Sequence, residues 1–215
     1  FSTGWHRNNF ILNNMSTKLK LIIASFLEFA VWGSYLTSQG RFLGSIGLAE
    51  QIGWFYSIQG IVSIFMPALI GIIADKWIPA QKLLGICHGL AAIFMMATGW
   101  YGLTAETVQL GTIFTLYSFS VAFFMPTIAL TNSVSYVALE KAGMDTVKVF
   151  PSIRIWGTIG FIVSMWCVDL MGIQASAYQY IFSGILGLIL AGYSFTLADC
   201  PVSKGGEKKS LVEAM

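Results

Sequence analysis

The 215-residue sequence is poor in charge: 10% of its residues are Asp, Glu, Lys or Arg, whereas soluble domains average about 25%. Its apolar fraction is 56% and its mean hydropathy is +0.72. A soluble protein of this size could not bury so much apolar surface, so the sequence indicates an integral membrane protein. The net charge of +2 is too small to suggest a nucleic-acid partner.

Cysteine and histidine are scarce as well. Cys87, Cys167 and Cys200 are odd in number and match no metal motif, so we interpret them as small apolar residues. His6 and His88 have no partners in the sequence that suggest a metal site or a Ser–His–acid triad. For His88, a packing role is favoured over a proton relay. No Gly-rich phosphate loop is visible either, so we expect neither an enzyme nor a bound cofactor.

Six apolar segments are each close to the roughly 20 residues that span a bilayer. They cover approximately residues 20–40, 51–74, 83–103, 108–137, 151–172 and 176–198. We expect helices, because only helices and closed barrels satisfy the backbone in lipid and no barrel-like alternation is present. The sequence therefore predicts an all-α membrane protein in which residues 15–200 form one six-helix bundle.

The two ends of the chain are polar. Residues 1–14 have no continuous apolar core, and Met15 precedes the first apolar segment, so we expect 1–14 to be a non-native or disordered leader. Residues 201–215 are rich in Gly and Lys, which is typical of a linker.

Basic residues predict the orientation of the bundle. Ten of the twelve Lys and Arg residues precede segment 1, follow segment 6, or lie between segments 2 and 3 or 4 and 5. Of the two remaining basic residues, Arg41 lies at the opposite ends of the segments and Arg154 lies inside segment 5. The positive-inside rule then places both termini in the cytoplasm.

Two charged residues lie within apolar segments: Glu28 in segment 1 and Arg154 in segment 5. A charge at the centre of a bilayer costs about 2.5–3.5 kcal/mol on insertion scales, and Arg cannot lose its proton. Arg154 lies three residues after Pro151, so it either extends to water at the helix end or serves a wet cavity. Glu28 is either a proton-coupling carboxylate or the counter-ion of Arg154.

Polar and aromatic residues follow these charges at helical spacing. Thr158 and Phe161 share a face with Arg154, which predicts a recognition surface with a forked donor, a hydroxyl and a ring. Gly157 and Gly160 lie on another face and favour close helix packing. Further candidates for a cavity or for proton coupling share the stripe of Glu28 or lie in segment 4. They are Trp32, Tyr35, Gln39 and Asn132.

The stretch "GIIADKWIPAQK" follows segment 2 and contains Gly71, Asp75 and Lys76. Asp75 at a helix C-terminus is unfavourable unless it is paired, and such a contact could act as a conformational latch. The stretch resembles the loop motif of the major facilitator superfamily, G-x-x-x-D-[R/K], although the Gly-[R/K] that usually follows is replaced by Ile78 and Pro79.

A more specific resemblance is to the bacterial nucleoside:proton symporters within that superfamily. The stretches that carry it, in order, are "SFLEFAVWGSYLT", "FMPALIGIIADKW", "ICH", "MPTIALTNSVSY", "AGMD" and "FPSIRIWGTIGF". The resemblance implies import of nucleosides with protons by alternating access, in a bacterial inner membrane. It also implies that Arg154, Thr158 and Phe161 contact the nucleoside, and that Gly71, Asp75 and Lys76 form a gate.

The family has twelve helices in two six-helix halves, each a three-plus-three inverted repeat. The resemblance therefore implies that this chain is the N-terminal half, that residues 201–215 begin the linker between halves, and that the C-terminal half is missing. Two alternatives stay open. One is a facilitator of another small solute, such as a sugar or an organic anion. The other is a six-helix membrane subunit that does not transport.

Overall fold

The computed structural model describes the backbone of residues 2–202 and the side chains of residues 15–202; Phe1 and residues 203–215, most of the predicted linker, lie outside the described residues. The described chain is helical, with seven α-helices and one 3-10 turn at Ala49–Gln51. The helices are α1 (Ser2–Leu36), α2 (Gln39–Ser45), α3 (Ile52–Lys76), α4 (Ala80–Thr104), α5 (Leu110–Lys141), α6 (Thr146–Leu170) and α7 (Tyr178–Ser194).

The first predicted segment is divided between two helices. α1 ends at Leu36, and the short α2 begins at Gln39 after a turn in which the Ser38 amide donates to the Tyr35 carbonyl. α2 ends before Gly47, whose φ of 83° lies in the left-handed region that favours glycine.

A turn joins α5 to α6 within the "AGMD" stretch. Gly143 has φ 68°, and the amides of Gly143 and Met144 donate to the carbonyls of Glu140 and Leu139. This is a Schellman-type end to α5. Asp145 then caps α6 by accepting a hydrogen bond from the Lys148 amide at 3.2 Å. The short turn holds α5 and α6 as antiparallel neighbours.

In the described part of the chain, five helical stretches are long and apolar enough to cross a membrane: Met15–Ser45, Ala49–Lys76, Ala80–Thr104, Leu110–Lys141 and Thr146–Leu170. The sixth predicted segment forms α7, which has 17 residues. At 1.5 Å per residue α7 is about 26 Å long, slightly less than the roughly 30 Å of a hydrocarbon core. Local thinning of the bilayer accommodates such a helix at modest cost.

The helices pack in a bundle with two apolar clusters. α1 packs along α6 and α7, α4 along α5 and α7, and α3 along α5. One cluster, cluster A, lies toward the start of α4 and includes Leu21, Leu84, Leu139 and Ile153. The second, cluster B, lies toward the opposite end and contains most of the buried aromatic residues, such as Tyr35 and Phe55.

Glycine residues let α1 and α6 approach closely. The spacing of Gly157 and Gly160 predicted close packing against another helix. A Cβ at Gly160 would overlap the carbonyl oxygen of Phe26, and one at Gly157 would lie 2.5 Å from Phe29 Cδ2. From the other side, a Cβ at Gly33 would lie 2.5 Å from the Phe161 carbonyl oxygen. Gly33 and Gly160 face the backbone of the neighbouring helix and therefore require the smallest residue, whereas Gly157 faces side-chain atoms. The predicted close packing at Gly157 and Gly160 is confirmed.

Candidate functional site

A buried polar layer separates clusters A and B. Glu28 on α1 lies between Ala24 of cluster A and Val31 of cluster B, and His88 on α4 lies between Leu84 and Ala91. Thr127 and Thr131 on α5 are buried as well. Glu28 is 1% exposed and His88 is 0% exposed. The layer is therefore sealed from the surface of the bundle.

The carboxylate of Glu28 is the centre of this layer. His88 Nε2 lies 2.8 Å from Glu28 Oε2, and Thr131 Oγ1 donates to the same oxygen at 2.8 Å. Thr127 Oγ1 donates to Glu28 Oε1 at 2.7 Å and lies 2.5 Å from the Phe124 carbonyl oxygen. Three helices thus converge on one carboxyl group, which meets the requirement that a buried charge be paired and hydrogen-bonded.

The partner of Glu28 differs from the counter-ion considered from the sequence. Among residues 15–202, Glu28 contacts His88, whose ring is charged only when both nitrogens carry hydrogen, and Lys148 forms an ion pair with Asp145. Arg154 belongs to neither pair. The expectation that His88 is a packing residue is also incomplete, because its ring is both packed against Phe124 and bonded to the carboxyl group. Helix α4 brings it there from 60 positions away.

Arg154 lies on α6 with its guanidinium carbon 3.8 Å from the centroid of the Phe29 ring. This cation–π contact is worth about 0.5–2 kcal/mol. The arginine is half-buried, and Thr158, one turn further, is exposed. The planar N–H donors of Arg154 are therefore stacked on an aromatic ring, and no carboxylate in the described part of the chain neutralises them.

Phe161 continues the same face of α6 and meets α1. Its ring is half-buried and stands edge-on to Trp32, with ring centroids 6.2 Å apart. Trp32 Nε1 donates to Gln59 Oε1 on α3 at 3.0 Å, and Gln59 Nε2 donates to the Tyr117 hydroxyl at 2.7 Å. A relay of aromatic and amide groups thus connects the Arg154 face to the interior of the bundle.

Tyr35 and Gln39, the remaining members of the predicted stripe, are 0% exposed. The ring of Tyr35 lies among the rings of Tyr117 and Tyr180, with centroids 6.0 Å and 6.1 Å away. The Tyr35 hydroxyl and the side-chain amide oxygen and nitrogen of Gln39 have no hydrogen-bond partner among the described residues. These residues lie inside cluster B, whereas Trp32 lies at its half-buried edge.

Asn132 and the predicted gate residues lie elsewhere on the bundle. Asn132 is half-buried on α5, next to Thr131. Gly71 and Asp75 on α3 line a groove opposite Pro126 and Ser133 of α5. Asp75 and Lys76 are exposed, and nothing described approaches the position of a Gly71 Cβ within 4 Å.

Sequence reasoning missed several residues of the site. Phe29 is the platform of Arg154, Gln59 links Trp32 to Tyr117, and Thr127 and Thr131 bind Glu28. The four-residue spacing of Thr127 and Thr131 was a usable signal, because it places both hydroxyls on one face of α5. Phe29 offered no such signal, since aromatic residues abound in membrane helices.

Comparison with known proteins identifies the relatives of the chain. A sequence model of the family described as "Nucleoside H+ symporter" matches residues 15–214. The nucleoside permease NupG of Escherichia coli is 42% identical over 193 residues, which are 88% of this chain and 44% of the permease. The xanthosine permease of Escherichia coli is 38% identical over 204 residues, 94% of this chain and 47% of that protein.

The fold agrees with these relatives. The crystal structure of the nucleoside transporter NupG superimposes with a TM-score of 0.80 at 40% sequence identity, over 93% of this chain and 48% of that chain. The chain therefore spans about half the length of the relatives it matches.

Proposed function

The chain belongs to the nucleoside H+ symporter family, and we propose that it forms the N-terminal half of a secondary transporter that imports nucleosides together with protons. The relatives that it matches are permeases, and the match covers 44% and 47% of their lengths. A second six-helix half is then the partner that completes the transport path. In this proposal α1, α3 and α4 form one three-helix repeat, and α5, α6 and α7 form the inverted one.

The face of Arg154 is the observation that carries the nucleoside site. A nucleoside offers carbonyl oxygens and ring nitrogens on its base, hydroxyls on its ribose, and a flat π surface. The guanidinium of Arg154, which forms no ion pair within residues 15–202, supplies a rigid fork of donors, Thr158 an exposed hydroxyl and Phe161 a ring edge-on to Trp32. Phe29 holds the fork in place, so little side-chain entropy is lost when the substrate binds.

Substitution of Arg154 tests this site in the protein at its full natural length. We expect Arg154→Ala to weaken uridine binding by roughly tenfold to a hundredfold, the usual cost of hydrogen bonds to a charged group. Arg154→Lys is also expected to bind poorly, because a point charge replaces a planar fork. Equilibrium binding of labelled uridine to membranes measures both effects.

Lys148→Ala is the matched control for this experiment. Lys148 is a cation on the same helix, but its side chain is 84% exposed. Normal membrane content with normal uridine binding is expected for this variant. Undiminished binding by Arg154→Ala would show that the site lies elsewhere, and displacement of uridine by organic anions would favour the anion-transporter alternative.

The proposed orientation places both termini in the cytoplasm of a bacterial inner membrane. The helix ends that flank the α3–α4 and α5–α6 turns carry Lys76, Lys82, Lys141 and Lys148, whereas the opposite ends of the described helices carry Arg41 as their only Lys or Arg. The groove that contains Gly71 and Asp75 then opens at the cytoplasmic side, where a latch between the halves would act.

A further inference from the structure

We infer that Glu28, His88, Thr127 and Thr131 form a proton-binding site in the core of the bundle. Its role as the coupling site of a symporter rests on the function proposed above, but the capacity to bind a proton does not. The substrate face of α6 makes no ion pair or hydrogen bond with this site in the described chain. The two sites are therefore separate within one six-helix bundle.

The net charge of the Glu28–His88 pair favours one bound proton. A glutamate and a histidine that share a single titratable proton are neutral overall, either as carboxylate with imidazolium or as carboxylic acid with imidazole. Removal of this proton leaves one net negative charge in a sealed environment, which is costly. The neighbouring helices do little to change this balance. α5 contributes hydroxyls, α7 contributes Ser183, and Arg154 of α6 is stacked on Phe29.

The unprotonated carboxylate is nevertheless fully hydrogen-bonded. Its oxygens accept from the hydroxyls of Thr127 and Thr131, and from His88 when Nε2 carries hydrogen. Hydrogen bonds to an ionised acceptor are the strong ones. The deprotonated state is therefore accessible, which a site that must release its proton requires.

Thr127 also provides a hydrogen-bond acceptor for the protonated carboxyl group. Its single hydroxyl hydrogen can go to Glu28 Oε1, 2.7 Å away, or to the Phe124 carbonyl oxygen, 2.5 Å away. When Oε1 carries a proton, that O–H donates to Thr127 Oγ1, and the Thr127 hydrogen turns to the carbonyl. When the carboxyl group gains or loses its proton, rotation of one hydroxyl is thus enough to re-form the hydrogen bonds, without movement of a helix.

His88 offers a route for the proton on its other ring nitrogen. Nδ1 has no hydrogen-bond partner within the described chain. His88 also lines a cavity of about 10 Å³ together with Ser120 and Ser183, which is the smallest volume that holds one water molecule. The serine hydroxyls donate to the carbonyls of Ala91 and Val31 and keep lone pairs free. A water in this cavity would accept from a protonated Nδ1 and donate to a bare one.

Infrared difference spectroscopy across a pH step tests the site directly, in the protein at its full natural length in lipid membranes. We expect a carbonyl band from a buried protonated carboxyl group that is lost in Glu28→Gln and retained in Glu106→Gln, whose carboxylate is exposed. Persistence of this band in Glu28→Gln would overturn the proposal.

Thr127 variants keep the test decisive if Glu28→Gln fails to fold. Thr127→Ser retains the hydroxyl and is expected to keep the band in place. Thr127→Val removes the hydroxyl and is expected to shift the band, because the protonated carboxyl group loses its acceptor. An unshifted band in Thr127→Val would contradict the hydroxyl rotation and with it the proposed site.

Transport in proteoliposomes then separates this inference from the function on which it builds. We expect Glu28→Gln to bind uridine normally but to lose uridine-coupled proton uptake, so that uridine equilibrates without being concentrated. Retained coupling in Glu28→Gln would reject the coupling role while leaving nucleoside transport intact. If the unaltered protein fails to bind uridine but shows the Glu28 band, the proposed function fails and the proton site stands.

Discussion

The two basic residues Lys148 and Arg154 of α6 show how strongly the role of a positive charge depends on its surroundings. Lys148 is exposed and pairs with Asp145 at 3.3 Å, a surface contact worth at most about 1 kcal/mol. Arg154, fewer than two turns further along, is half-buried on the Phe29 ring. The same charge is therefore a solvated surface group at one position and an oriented donor at the other.

Among the neutral residues, Gln59 is important because its side-chain amide forms hydrogen bonds with two aromatic residues at once. It accepts from Trp32 Nε1 and donates to the Tyr117 hydroxyl. We expect Gln59→Leu to lower the free energy of unfolding by about 1–3 kcal/mol, the cost of leaving a buried polar group unpaired. Denaturation in mixed detergent micelles measures the change.

Tyr117→Phe is a suitable comparison for Gln59→Leu. It removes only the acceptor of the Gln59 amide and leaves the Trp32 hydrogen bond in place. A smaller loss of stability is therefore expected. Equal stability of Gln59→Leu and the unaltered protein would show that the Trp32–Gln59–Tyr117 relay does not contribute to the fold.

Individual residues also mark the limit of what sequence can predict. The unusual positions of Glu28 and Arg154 were evident, because charges in apolar segments are rare. Their partners were not, since a ring such as Phe29 has no distinguishing feature and His88 is 60 residues from Glu28. Local hydropathy identifies a buried charge, but only the packing of helices identifies what neutralises it.

At the scale of elements, the contact between α1 and α6 depends on the glycines at their crossing. Small residues allow two backbones to approach until van der Waals contacts and weak polar contacts hold them. The glycine spacing of α6 predicted a packing face, and the structure adds that Gly33 of α1 completes it from the other side. The complementary glycine could not be assigned from sequence, because its partner helix was unknown.

The α1–α6 contact yields a prediction about stability. Gly160→Ala places a methyl group against the Phe26 backbone, which cannot move aside as a flexible side chain could. Overpacking of this kind costs about 1–3 kcal/mol, so we expect a lower midpoint of thermal unfolding in detergent.

Gly60→Ala is the matched control for Gly160→Ala. Gly60 lies inside α3 with nothing within 4 Å of a Cβ. Alanine favours a helix over glycine by up to about 1 kcal/mol, so an unchanged or slightly higher midpoint is expected. If both variants unfold at the same temperature, the glycine crossing is not a constraint on the fold.

For the molecule as a whole, the helical class and most segment positions follow from hydropathy, because each membrane helix satisfies its own backbone. The break between α1 and α2 does not, since Thr37 and Ser38 interrupt a segment that is otherwise continuous. The partition into clusters A and B also escapes prediction, because it arises from side chains contributed by helices distant in sequence.

The orientation of the whole bundle can be tested by chemical labelling. We expect Thr107→Cys, between α4 and α5, to react with a membrane-impermeant maleimide in intact cells. Trp77→Cys, between α3 and α4, should react only after permeabilisation, because the basic residues keep that turn inside. Both variants are made in a background with Cys87, Cys167 and Cys200 replaced by alanine.

Both labelling positions are exposed, so accessibility to the reagent depends on the side of the membrane rather than on burial. The background without introduced cysteine should remain unlabelled. The reverse pattern, with Trp77→Cys labelled in intact cells, would invert the proposed topology.

The buried carboxyl of Glu28 also imposes an order on biogenesis. During translation, Glu28 is synthesised 60 residues before His88 and 99 residues before Thr127. At about 5–20 residues per second, roughly 3–12 s pass before its first partner exists. During that interval α1 carries an ionisable group that lipid disfavours, so it must wait beside the insertion machinery or enter the bilayer uncharged. Of the helices described, the earliest to be synthesised is thus among the last to reach its final surroundings.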